Sequence, residues 1–135
     1  MSPGVVRLLE ESRGREKAQT LFYRALAGAA ELGGDPADAE RLNELHADEQ
    51  HHLSRLTARV LELGGSPRDL RDVRAPDTAP GAWEETARAR EEEEVRWYEG
   101  LLEEDLDEQT RGVVQEILDS ERHHREELRG KWMSA

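Results

Sequence analysis

The chain has 135 residues and a net charge of −12 at pH 7, with 31 acidic side chains against 19 basic ones. That length supports one core of ordinary size rather than two. The acidity disfavours nucleic acid and anionic membranes as partners and favours cations. Cysteine is absent, which excludes disulfides, iron–sulfur clusters, thiolate zinc sites and a thiol nucleophile. No apolar run approaches membrane-spanning length and no N-terminal stretch resembles a signal peptide, so a cytoplasmic chain is expected.

Glycine and proline fall in clusters that divide the chain into four segments of helical periodicity. The first spans about 5–32 and stops at Gly33-Gly34. Asp35 then makes an N-cap, Pro36 suits the first helical position, and the second segment spans about 36–63, before Gly64-Gly65-Ser66-Pro67. The third spans about 81–103. The fourth, after an acidic turn, spans about 107–132. No stretch alternates with period two, so a single all-α domain over 1–135 is expected.

The connection at 64–80 is 17 residues long and carries Pro67, Pro76 and Pro80, whereas the other two are short. Helices of about 25 residues span roughly 40 Å, and such a connection reaches roughly 55 Å when extended. Two antiparallel hairpins joined end to end by a crossover follow from that asymmetry, the connectivity of a ferritin-like four-helix bundle.

Four of the five histidines stand in two matching stretches, DEQHHLSRL at 48–56 and SERHHREEL at 120–128. On the second segment Leu42, Leu45, Leu53, Leu56, Val60 and Leu63 mark the apolar stripe, and Glu49 and His52 fill the gap in its register. Asp48 with His51 has the same spacing. The fourth segment decides between them: Val114, Ile117 and Leu128 set a stripe whose missing members are Glu121 and His124, while the residue three before His123 is Ser120. His51 and His123 then point about 100° away, toward the rim or solvent. His46, one turn before Glu49, is expected at the surface.

The first and third segments each place Glu and Tyr seven apart: Glu16 with Tyr23, and Glu91 with Tyr98. Glu16 shares a face with Val5, Leu9, Tyr23 and Ala30, and Glu91 shares one with Ala87, Glu94, Tyr98 and Leu102. Glu16 and Glu49 are separated by nearly the same length of chain as Glu91 and Glu121, so the halves read as copies of one hairpin. Burying several carboxylates without compensation costs several kcal/mol each. Arg13, Lys17 and Arg96 lie nearby in sequence but are too few on the stripes to offset them. Two divalent metal ions would. Oxygen and imidazole donors without sulfur suit iron or manganese and do not forbid zinc.

The conjunction of Glu16, Glu49-x-x-His52, Glu91-x-x-Glu94 and Glu121-x-x-His124 resembles the rubrerythrin-type, ferritin-like diiron proteins over nearly the whole chain. The resemblance implies that Glu49 and Glu121 bridge two irons, that Glu16 and Glu91 are terminal carboxylates, and that His52 and His124 bind one iron each. Glu94 matches a second inward glutamate of that family, a redox-dependent or water-linked ligand. Which of Glu91 and Glu94 is the principal ligand stays open. Tyr23 and Tyr98 are core aromatics or donors that orient the glutamates. Trp83, Trp97 and Trp132 are assigned to packing or to a dimer interface.

The family's cysteine-ligated electron-transfer module has no counterpart in a chain without cysteine. Haem ligation would need an interior methionine, and only Met1 and Met133 exist. No extra helix is present to build a large storage cage. The function expected is a dinuclear iron oxidoreductase, a peroxidase or a ferroxidase, acting on peroxide or dioxygen with an external electron donor or fresh ferrous iron. A homodimer is also implied. The alternative is a metal-free helical scaffold or interaction protein.

Overall fold

The computed structural model describes residues 3–77 and 83–129. It contains four helices in this order: α1 (Pro3–Leu32), α2 (Pro36–Glu62), α3 (Trp83–Leu101) and α4 (Glu108–Arg129). The chain divides into two compact units, Met1–Pro76 with α1 and α2, and Asp77–Ala135 with α3 and α4.

In the first unit α1 packs against α2. The turn between them is written in local chemistry. The Asp35 N–H bonds the Ala30 carbonyl at 2.9 Å and the Gly34 N–H bonds the Glu31 carbonyl at 3.2 Å, a pattern that requires Gly34 to take a positive φ of 73°. Asp35 then caps α2 by accepting from the Asp38 N–H at 3.2 Å, with Pro36 in the first turn. The same stop signal recurs at the end of α2, where Gly64 has φ 85° and the Gly65 N–H bonds the Val60 carbonyl at 2.9 Å. Leu63 is the C-cap, so α2 ends one residue earlier than the periodicity suggests. At the same end of the hairpin α1 starts two residues earlier than expected.

The buried apolar residues of this hairpin are Val5, Leu9, Phe22, Tyr23 and Ala27 on α1 and Ala39, Leu42, Leu45, Leu56 and Val60 on α2. Leu53, Leu63 and Ala30, expected on the stripes, are only half-buried. The crossover leaves α2 along α1: Arg68 donates its N–H to Glu10 Oε2 at 2.6 Å. Arg13 Nη1 donates to the Arg68 carbonyl at 3.0 Å and Arg13 Nε to Thr57 Oγ1 at 2.8 Å. The last residues of the crossover, with Pro80 and the expected start of α3 at Gly81, lie outside the described residues.

In the second unit α3 packs against α4, and the buried apolar residues are Ala87, Val95, Tyr98 and Leu101 on α3 and Val113, Val114, Ile117, Leu118 and Leu128 on α4. Leu101 takes the buried place expected of Leu102, and α3 ends there rather than at Glu103. Asp107 is the cap of α4 rather than its first residue: its Oδ2 accepts from the Thr110 N–H at 3.1 Å. Arg111 spans the turn, donating to the carbonyls of Leu102 and Glu104 at 2.9 and 3.1 Å. The expected extension of α4 to Trp132 lies outside the described residues, as do Met1, Trp132 and Met133. Among the described residues no helix is long and apolar enough to cross a membrane.

Candidate metal centre

The first unit brings Glu16 of α1 to Glu49 and His52 of α2. Glu16 and Glu49 have no solvent exposure and His52 has 3%. His52 Nδ1 lies 3.0 Å from Glu49 Oε1 and 3.3 Å from Glu16 Oε1. Helical spacing produces the first contact, because residues three apart share a face; packing of α1 on α2 produces the second. The environment of His52 pulls its pKa in two directions. Burial, the largest single influence, lowers it, but hydrogen bonds and charge from Glu16 and Glu49 together outweigh burial and raise it to about 10. Without a metal ion the ring is therefore a cation that partly offsets two buried carboxylates.

The second unit repeats the arrangement with Glu91 of α3 and Glu121 and His124 of α4, all without solvent exposure. His124 Nδ1 lies 3.0 Å from Glu121 Oε1 and 3.7 Å from Glu91 Oε1. Glu94 is 3% exposed, whereas Glu92 is half-buried and Glu93 exposed. The run of four glutamates thus divides by register, with two members turned inward.

Within each unit the three donors can coordinate together. Glu16, Glu49 and His52 each offer a ligand atom within 4.8 Å of the others, and so do Glu91, Glu121 and His124. Glu94 is buried but outside that trio. The donor chemistry suits a hard or borderline divalent ion: carboxylate oxygens and imidazole, no sulfur, held where an uncompensated negative charge is costly. Arg13 bonds Thr57, Glu10 and the Arg68 carbonyl, and Arg59 bonds Glu62 at 3.0 Å.

Tyr23 and Tyr98 are fully buried. His51 and His123 are exposed, and His123 Nε2 pairs with Glu127 at 2.9 Å. His46 is not at the surface as expected: it is half-buried, with Nδ1 donating to the Thr20 carbonyl at 3.1 Å. Trp83 and Trp97 are half-buried. A further buried polar residue borders the first-unit cluster. Gln19, without solvent exposure, places its amide Nε2 3.4 Å from Glu49 Oε2. Its signal was present, since it lies three residues after Glu16 on the same face.

The rubrerythrin family profile matches residues 7–131. The chain belongs to the rubrerythrin family. Among solved structures, this rubrerythrin-family chain is similar to the Mycobacterium tuberculosis bacterioferritin BfrA, with a TM-score of 0.83 and 22% identity over 96% of this chain and 84% of that one. That likeness establishes the fold as a ferritin-like four-helix bundle. No curated protein sequence matches the chain. Its 135 residues contain no cysteine with which to build a rubredoxin-type module.

Proposed function

We propose that the chain is a dinuclear non-haem iron oxidoreductase of the rubrerythrin type, reducing peroxide or dioxygen. The observation that carries this reading is the repetition: each hairpin buries one glutamate from its first helix against a Glu-x-x-His pair from its second. Family membership supports the metal, and the absence of sulfur donors supports iron, with manganese or zinc as lesser fits.

In this reading Glu16, Glu49 and His52 of the first unit and Glu91, Glu121 and His124 of the second would hold two metal ions. Glu49 and Glu121 would be the carboxylates shared by both ions, Glu16 and Glu91 would each serve one, and each histidine would hold one ion. Glu94 is an additional carboxylate on the second-hairpin side. A bound pair of ferrous ions would supply the two electrons for peroxide or dioxygen reduction. The chain's own contribution is a rigid donor set on helices and a buried setting that excludes bulk water. Tyr23 and Tyr98 belong to the wall of this setting, where a hydroxyl can orient a carboxylate.

The reading calls for an external electron donor or a supply of fresh ferrous iron, since the 135 residues contain no cysteine for a thiolate relay. We further propose a cytoplasmic homodimer, with half-buried Trp83 and Trp97 as candidate interface side chains.

The test is iron per chain after anaerobic ferrous loading, measured beside Glu49→Ala and Glu121→Ala. About two irons in the parent chain and a loss in both variants support the centre. No metal above the variants would leave the scaffold reading. Catalytic turnover with peroxide and a reductase would then mark a peroxidase, and stoichiometric iron oxidation by dioxygen a ferroxidase.

A further inference from the structure

At the inward positions named for the candidate centre the two hairpins match, with one exception. Glu16 corresponds to Glu91, Tyr23 to Tyr98, Glu49-x-x-His52 to Glu121-x-x-His124. Three residues after the first glutamate of each hairpin, the first carries Gln19 and the second Glu94. Both are buried, at 0% and 3% exposure. The pair differs by one atom type and one unit of charge: an amide nitrogen in the first hairpin replaces a carboxylate oxygen in the second.

The geometry of Gln19 gives the substitution a role. Its Nε2 makes a long hydrogen bond of 3.4 Å to Glu49 Oε2, while Glu49 Oε1 lies 3.0 Å from His52 Nδ1. An ionised carboxylate can only accept, so the NH2 end of the amide is the end that suits it. A donor on one oxygen and an imidazole beside the other fix the plane of the Glu49 carboxylate. Glutamate at position 19 could not do this in ionised form; it would repel Glu49 and add a further buried negative charge.

We propose that Gln19 is a positioning residue that orients Glu49 and makes the two metal positions unequal, by leaving the first-hairpin side one carboxylate poorer than the side that carries Glu94. The inference rests on the dinuclear reading above. It assigns the asymmetry of the centre to one neutral side chain: the metal on the Glu94 side gains an extra anionic neighbour and binds more tightly, and the metal on the Gln19 side binds less tightly.

The experiment is an anaerobic calorimetric titration of the metal-free chain with ferrous iron, for the parent, Gln19→Leu and Gln19→Glu, with helix content checked by circular dichroism. The parent is expected to fill in two steps of unequal affinity. Gln19→Leu should keep two sites but widen the gap by weakening the weaker step about 10-fold, and Gln19→Glu should draw the two affinities together by tightening that step. A residue that only filled space would not change the gap in opposite directions for a lost donor and an added carboxylate. Should Gln19→Leu fail to fold, Gln19→Glu, which preserves shape, decides alone. If the parent takes two irons in steps of equal affinity, or if the folded variants give the parental isotherm, the proposal is overturned while the dinuclear reading stands. A parent that binds no iron overturns both.

Discussion

Oε1 of Glu16 lies 3.3 Å from Nδ1 of His52, a contact between α1 and α2 that joins residues far apart in sequence at zero and 3% exposure. The same ring nitrogen is 3.0 Å from Glu49. Two buried carboxylates therefore share one imidazole, and the first-hairpin cluster carries more negative than positive charge until a cation arrives.

Glu16→Gln should expose that imbalance. In the metal-free chain it removes the surplus charge and is expected to raise unfolding free energy by about 1–2 kcal/mol. In the iron-loaded chain it removes a ligand, and the stabilisation by metal should shrink. Urea denaturation of both forms checks the opposite signs; a metal-free variant less stable than the parent contradicts the charge argument.

The pH response of the metal-free chain follows from His52. Its folded-state pKa, about 10, lies above the ordinary 6.5, so protonation favours the folded state. The contribution is fully present below pH 6.5, and is lost as pH rises from there through about 10. Stability of the metal-free chain is thus expected to fall across this window, more steeply than in His52→Gln, and NMR titration of the ring should show a cation at neutral pH. A ring already neutral at pH 8 contradicts it.

The crossover anchor offers a test away from the carboxylates. Arg13 is 7% exposed and binds Thr57, Glu10 and the Arg68 carbonyl. Arg13→Met should cost about 2 kcal/mol, the scale of charged hydrogen bonds lost from a protected site. It should also speed proteolysis within 66–76 while iron stoichiometry is retained. Unchanged cleavage would mean that the segment is held by something other than this guanidinium.

The two histidine doublets divide into inward and outward members. His51→Ala and His123→Ala, at exposed positions, should leave iron content intact and shift stability by less than about 0.5 kcal/mol. His52→Ala and His124→Ala should each lose metal. Equal loss from outward and inward variants would break the register argument.

That register was legible because it is local: Glu49, His52, Glu121 and His124 fill gaps in stripes of leucine, valine and isoleucine, and period alone orients them. The caps at Asp35 and the stops at Gly34 and Gly64 are likewise local. What periodicity could not supply is which polar group meets which across a hairpin. Gln19 stood on the inward face in plain view, but its meeting with Glu49 depends on how α1 packs on α2. The same is true of His46, whose contact with the Thr20 carbonyl takes it off the surface, and of Arg13, whose partners include a loop carbonyl distant in sequence. Helix ends shifted for a simpler reason, since Asp107 and Leu63 serve as caps and so stand just outside the helices they close.

The hairpin organisation also bears on the order of assembly. Contacts between α1 and α2 close across a short glycine turn, which keeps contact order low and folding fast. A growing chain emerges N-terminus first, at roughly 5–20 residues per second, so Glu16, Glu49 and His52 can be gathered while α3 and α4 are still being synthesised. The newborn hairpin then carries a three-donor set before its counterpart exists, and the timing of iron delivery becomes a matter of translation as well as of affinity.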